Sequence, residues 1–228
     1  MIMSETFAKD TSNRSKKDWA IALIVLFIGL TIAHLGVSLF LVSAMGTDTF
    51  TVFIQGLSLT CRKITGTGFP TVGTVHVIIL CLIMVIMLFT TKGYIKPGTV
   101  ICAFCGGPII DFFNWLILPF VNEGSPIAVR AVVMVLGCVI LSVGMSVVIN
   151  SEAGTGPNDL IAIVISDKLP GFQFRFVRIA CDIFFIVIGF LLGGVVGIGT
   201  VVAAFLTGPL VQFWLPKTKA VIRKLPYQ

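Results

Sequence analysis

Six apolar runs, each long enough to cross a bilayer as a helix, leave this chain few folds to choose from. They lie at roughly 19–45, 71–91, 98–118, 127–150, 173–193 and 197–215, and about 20 apolar residues suffice for one helical crossing. Of the 228 residues, 57% are hydrophobic and only 11% charged, with a mean hydropathy of +1.06. A soluble domain carries roughly 25% charged residues. Lipid offers the backbone no hydrogen-bond partners, so runs of this length satisfy their own peptide groups as helices. The expected fold class is therefore an all-α polytopic membrane protein.

The second constraint is a stretch written twice. Gly98–Phe113 aligns without a gap to Gly199–Trp214, and half of the sixteen pairs are identical, including Gly-Thr at the start and Gly-Pro in the middle. Gly36-Val37-Ser38 likewise matches Gly144-Met145-Ser146, Ser43 matches Ser151, and Gly46-Thr47 matches Gly154-Thr155. The chain reads as two homologous repeats, 19–118 and 127–215, joined by a linker at 119–126. Duplicated membrane chains commonly enclose a site where the halves meet.

Each half also holds a shorter apolar run, Phe50 to Leu59 in the first and Asp159 to Ile165 in the second. Runs of about 10–14 residues are more often re-entrant than spanning. The expectation is about six transmembrane helices plus two short re-entrant or half helices, with the repeats inverted in the membrane. An eight-span alternative would make the repeats parallel. Lysine and arginine do not separate the two: six spans leave only Arg62, Lys63 and Arg130 outside, and eight leave only Lys92 and Lys96. Both place the two chain ends in the cytoplasm. Residues 1–18 read as a polar cytoplasmic arm and 216–228 as a basic cytoplasmic tail.

The six cysteines are scattered through apolar runs and read as small buried hydrophobes. Cys102 and Cys105 have a CxxC spacing, but Ala203 and Leu206 replace them in the other half, so no metal site is expected. The net charge of +6 sits at segment ends rather than on one face, which argues against nucleic acid as a partner.

Gly46-Thr47-Asp48-Thr49-Phe50, Gly154-Thr155-Gly156-Pro157-Asn158-Asp159, Gly193-Gly194, Gly197-Ile198-Gly199-Thr200 and the two Gly-Pro turns resemble the YczE/YyaS/YitT family of bacterial membrane proteins. The resemblance covers about residues 20 to 215 and is strongest to the YczE-like branch. In the first half Thr49 stands where relatives carry proline, Thr51 where they often carry aspartate, and Lys92-Gly93 replaces paired glycines. The resemblance implies a multi-pass protein of the bacterial inner membrane and supplies no substrate.

The candidate binding residues are polar groups that the apolar runs do not explain. Gly46 and Gly154 allow sharp turns between helices, and Thr47 or Asp48 can cap the first short helix. Thr155 and Asn158 precede Asp159 in the second, where Pro157 suits an initial helical position. Helix N-termini favour anions, but carboxylates at Asp48 and Asp159 offset that field, which points to a cationic, zwitterionic or proton-linked ligand. Arg178 and Asp182 stand four apart on one helix face, either as a structural ion pair or as a substrate site. Asp111, three residues after a Gly-Pro, would follow a helix break with freed carbonyls. His34 is expected to bond a neighbouring helix and His76 to be packed, with titration near neutral pH as the alternative for His76. Asn150 and Glu152 fit an interfacial position.

The functional expectation is a secondary permease or exporter of a small solute, bound between the repeats. The alternative is a non-transporting accessory or scaffold for a neighbouring biosynthetic or stress system. No Ser-His nucleophile, HExxH or P-loop is present, so no enzyme, cofactor or metal is expected, and active transport would draw on an ion gradient or a separate energising partner. The expected partners are lipid and an unidentified solute, with a homo-oligomer left open.

Overall fold

A computed structural model describes residues 14–90, 94–168 and 174–224, apart from the side chains of residues 167, 174 and 175. Among the described residues the regular structure is eight helices: α1 (Lys16–Ser43), α2 (Thr49–Thr65), α3 (Val72–Thr90), α4 (Pro97–Ile117), α5 (Ile127–Ser151), α6 (Pro157–Lys168), α7 (Phe174–Leu191) and α8 (Ile198–Ile222). Five of them, α1, α3, α4, α5 and α8, are long and apolar enough to cross a membrane. The remaining expected span, the fifth in chain order at 173–193, corresponds to α7, which carries Arg175, Arg178 and Asp182 within 18 residues. The chain is a polytopic helical membrane protein.

Local chemistry sets the ends. Ser15 and Asp18 form a capping box at the start of α1, each side chain accepting from the other's backbone N–H. Helical order therefore begins inside the segment expected to be a polar arm. At the other end, α8 does not stop at Trp214 but runs through Pro216 to Ile222. Asn150 holds those added turns by donating to the Leu215 carbonyl and the Thr218 hydroxyl, at 2.9 and 2.7 Å. Asn150 thus ties α5 to α8, a more specific role than a rim position. The Lys92-Gly93 substitution lies outside the described residues.

The central pair is α1 and α5, running antiparallel. Gly29 lies against Val147 and Val148, whereas Gly36 lies against Gly137 and Leu141. Their backbones touch: a β-carbon on Gly36 would sit 2.4 Å from the Leu141 nitrogen, and one on Gly144 2.2 Å from the Ala33 nitrogen. Only hydrogen fits there, the usual device for close helix approach in lipid. An arginine closes each end of the pair. Arg130 donates to the Ser43 and Ala44 carbonyls (2.7 and 2.8 Å), and Arg14 donates to Glu152 at 2.9 Å and to the Ser151 carbonyl at 3.5 Å. Carbonyls at a helix end have no intrahelical donor, so these guanidinium groups supply one.

Around this pair, α4 packs on α1 and α8 on α5. α2 packs on α7, α6 touches α3 only slightly, and α3 packs on α4 without an equivalent extensive α7–α8 contact among the described residues. Both central helices end on a left-handed residue, Ala44 (φ 50) and Glu152 (φ 54). Beyond them the Met45 carbonyl accepts from Gly199 N–H and the Ala153 carbonyl from Gly98 N–H, at 2.8 and 3.0 Å. Gly46 (φ +100) then abuts Thr200, and Gly154 (φ +143) abuts Thr99. Glycine accepts these φ values without steric penalty.

The two Gly-Pro sites do not interrupt their helices, which continue through Pro108 and Pro209. Asp111 therefore follows no break. Its carboxylate accepts from Gly73 N–H at 3.0 Å and from the Thr71 hydroxyl, capping the start of α3.

Candidate functional site

The turn after α1 delivers the chain to α2 through an extended Asp48 (φ −62, ψ 160), whose carboxylate accepts from Thr51 N–H at 3.1 Å. This is the cap expected from sequence, and Asp48, not Thr47, makes it. Thr47 donates to the same carboxylate at 3.3 Å. The second turn opens α6 at Pro157 and puts Asp159 in its first turn, with Thr155 at 3.5 Å and Asn158 at 3.3 Å as donors. The apolar run in α2 marks only its buried part, because Arg62 and Lys63 extend the helix to Thr65. At about 1.5 Å per residue both helices fall short of the roughly 30 Å hydrocarbon core.

The first turns of these two helices are joined through α7. Arg178 donates to Asp159 at 2.7 Å and lies 3.4 Å from Asp182, one helical turn further along its own helix. Asp182 accepts from the Thr49 hydroxyl at 2.7 Å, and Thr49 is the first residue of α2. Asp48 and Asp159 stand within electrostatic reach of each other, as do Asp159 and Cys102 of α4. Two carboxylates thus face one guanidinium, with Asp48 near the first of them, an excess of negative charge that the partial positive ends of two helices offset in part. The cluster is not sealed: Arg178, Asp159 and Asp182 keep 36%, 21% and 30% of their side-chain surface accessible.

Beside the cluster, one residue past Thr49 and three past Asp182, is an aromatic group. Phe50 stacks edge-on against Phe185 and His76, with centroids 5.2 and 5.7 Å apart, and His76 meets His34 at 5.4 Å. His34 bonds the Leu30 carbonyl of its own helix at 2.8 Å, not a neighbouring helix as expected from sequence. Its cross-helix contact is instead with the other histidine.

Residues 20–216 match a family described as "Family of unknown function (DUF6198)". The chain belongs to this family. It is 30% identical over 204 residues to "Uncharacterized membrane protein YczE" of Bacillus subtilis (strain 168), covering 89% of each chain. An "Uncharacterized protein" of Haemophilus influenzae is 27% identical, over 89% of this chain and 85% of its own. "Uncharacterized protein YyaS" of Bacillus subtilis (strain 168) is 28% identical, over 83% and 90%. The family resemblance expected from sequence is thereby shown, a YczE-like family of bacterial membrane proteins. No solved structure matches the chain.

Of the residues singled out in this family member, the structure brings together Asp48, Thr47, Asp159, Thr155, Asn158, Arg178 and Asp182. Gly46 and Gly154 shape the turns that carry them. Asp111 belongs elsewhere, at the α3 cap. Sequence reading passed over Thr49, Phe50, Phe185 and Cys102 as site residues. A hydroxyl directly after the Asp48 cap is the one signal that could have marked Thr49. The aromatic contacts join separate helices and leave no trace in local spacing.

Proposed function

We propose that the chain is a secondary permease or exporter of a small cationic or zwitterionic solute, which binds where α2 and α6 begin. The observation that carries this reading is the Thr49–Asp182–Arg178–Asp159 chain of contacts, joining two short helices from the two halves while staying partly accessible. Ionisable groups within membrane-depth helices are costly, about +2.5–3.5 kcal/mol each even on lenient scales, and mark pathways more often than packing. An inverted duplication is part of the proposal. Its support is the antiparallel α1–α5 pair and the recurrence of the Gly46 and Gly154 turns, their contacts with Thr200 and Thr99, and the Met45 and Ala153 carbonyl bonds at matched positions. With six spans, each half would offer one half-helix to a shared midplane site, and the halves would rock about the α1–α5 seam.

The alternative, a scaffold without transport, predicts that the charged cluster serves stability alone. A counterflow experiment separates the two. Proteoliposomes loaded with unlabelled bacterial metabolite extract are placed in isotopically labelled extract, and mass spectrometry follows label inside. The permease reading expects one solute class to exchange through wild type and not through Arg178→Met. Label that enters no faster than into protein-free vesicles overturns the permease and leaves the scaffold.

A further inference from the structure

We infer that His34 and His76 form a one-proton binding site within the helix bundle. As the proton-coupling element of the carrier it rests on the permease reading above; as a proton site it does not. The chain has two histidines in all, and they sit on different helices, α1 and α3. They nevertheless meet edge to face, with centroids 5.4 Å apart and planes at 80°. Both are more than nine-tenths buried, at 9% and 7% exposure.

The ring nitrogens show what this pair can bind. Both Nε2 atoms converge on Gly106 of α4: a β-carbon there would stand 2.7 Å from His34 Nε2 and 3.0 Å from His76 Nε2. One small shared atom reaches both, and any side chain at 106 would fill the gap. His34 Nδ1 lies 2.8 Å from the Leu30 carbonyl. A carbonyl only accepts, so Nδ1 carries the hydrogen and the neutral ring presents a bare Nε2 lone pair. His76 Nδ1 is buried and has no hydrogen-bond partner.

One proton answers this arrangement. With its hydrogen on Nδ1, neutral His76 also presents a bare Nε2, so two lone pairs border the gap over Gly106. A proton delivered by hydronium forms a new N–H bond at one Nε2 and releases water, and the other Nε2 is the acceptor nearest to it. A second proton would set two cations edge to edge, so the pair takes one. The charged and titratable groups on the pair's own and surrounding elements include Asp48 before α2, Cys81 on α3, Cys102, Cys105 and Asp111 on α4, Cys138 on α5, Asp159 on α6, and Arg178 and Asp182 on α7. Four carboxylates to one guanidinium leave this set net negative. Phe50, two residues beyond Asp48, links the pair to the solute cluster by touching both His76 and Phe185.

With only two histidines, histidine-selective 15N labelling gives an uncrowded solid-state NMR spectrum of the untagged full chain in lipid vesicles. Between about pH 8 and about pH 5, where imidazoles ordinarily titrate, one ring should convert to imidazolium while the other keeps a bare Nε2. In His34→Gln, which retains bulk and polarity, the His76 midpoint should move by at least about one pH unit. Two rings that stay neutral throughout, or that titrate independently with midpoints unchanged by His34→Gln, overturn the inference. The spectra need no solute. Failed exchange with a shared proton sinks the permease alone, and successful exchange with independent rings sinks the proton site alone.

Discussion

Substituting Gly36 and Gly144 with alanine, singly and together, probes the seam on which the fold is built. The β-carbon of Gly144→Ala would stand 2.2 Å from the Ala33 nitrogen, 2.5 Å from its Cα and 2.7 Å from the Gly29 carbonyl oxygen. Ordinary contact is 3.4–4 Å, and every obstacle is backbone, so no rotamer change relieves the overlap. α1 and α5 must separate by about 1 Å or more, and a gap of 0.5–1 Å already forfeits a quarter to a half of each contact's attraction along the seam. The expected loss is about 3 kcal/mol, the upper end for overpacking. Gly36→Ala meets the Leu141 nitrogen at 2.4 Å and the Gly137 oxygen at 2.7 Å, so it should lose about the same. The pair should not sum: once one methyl has wedged the helices apart, the second finds room. The double variant is therefore expected to lose about 3–4 kcal/mol rather than about 6. Reversible unfolding in detergent, followed by circular dichroism against denaturant, measures all three. A single variant with wild-type stability, or a double variant that sums, would refute the close-contact argument.

Four further outcomes follow from the geometry. Arg130→Met removes two charge-assisted donors from the end of α1 and should lower stability by about 2 kcal/mol in the same unfolding assay; an unchanged midpoint contradicts that role. Asp111→Ala leaves the α3 start uncapped, for about 1–2 kcal/mol, while label exchange by the surviving folded protein stays at wild-type rate. Asp48→Asn keeps an equally good cap, so stability should hold within about 0.5 kcal/mol while exchange falls; full exchange places the solute elsewhere. Arg178→Met leaves Asp159 and Asp182 without their counter-charge, and partial exposure limits the loss to about 1–2 kcal/mol. Neutralising both aspartates in that background should restore most of it, and a triple variant less stable than Arg178→Met argues against charge imbalance.

Much of the architecture was legible in the residues. The matched Gly-Thr turns, the Asp48 cap and the Pro157 start needed only local rules, because turns and caps are set by a few adjacent residues. The Gly-Pro pairs suggested helix breaks, but helical structure continues through Pro108 and Pro209. The same expectation put Asp111 beside freed carbonyls that could bind a ligand, whereas its partners Thr71 and Gly73 are at the start of another helix. The ends of α8 and α1 were also misjudged by composition, since polar residues mark the limit of lipid and not the limit of a helix.

By itself the sequence determined that this is a helical, multi-pass membrane protein of a YczE-like family, with glycine turns ahead of two short helices that each have an aspartate at or near the start. Hydropathy and turn chemistry act over one to three turns, and both are written in consecutive residues. Only the tertiary structure decided that Thr49, Asp182, Arg178 and Asp159 form one connected chain and that His34 faces His76 over Gly106. Such meetings depend on how far apart the backbones of α1 and α5 lie and how the remaining helices rotate about that seam. Those distances are fixed by packing against the whole bundle, and no local window of residues contains them.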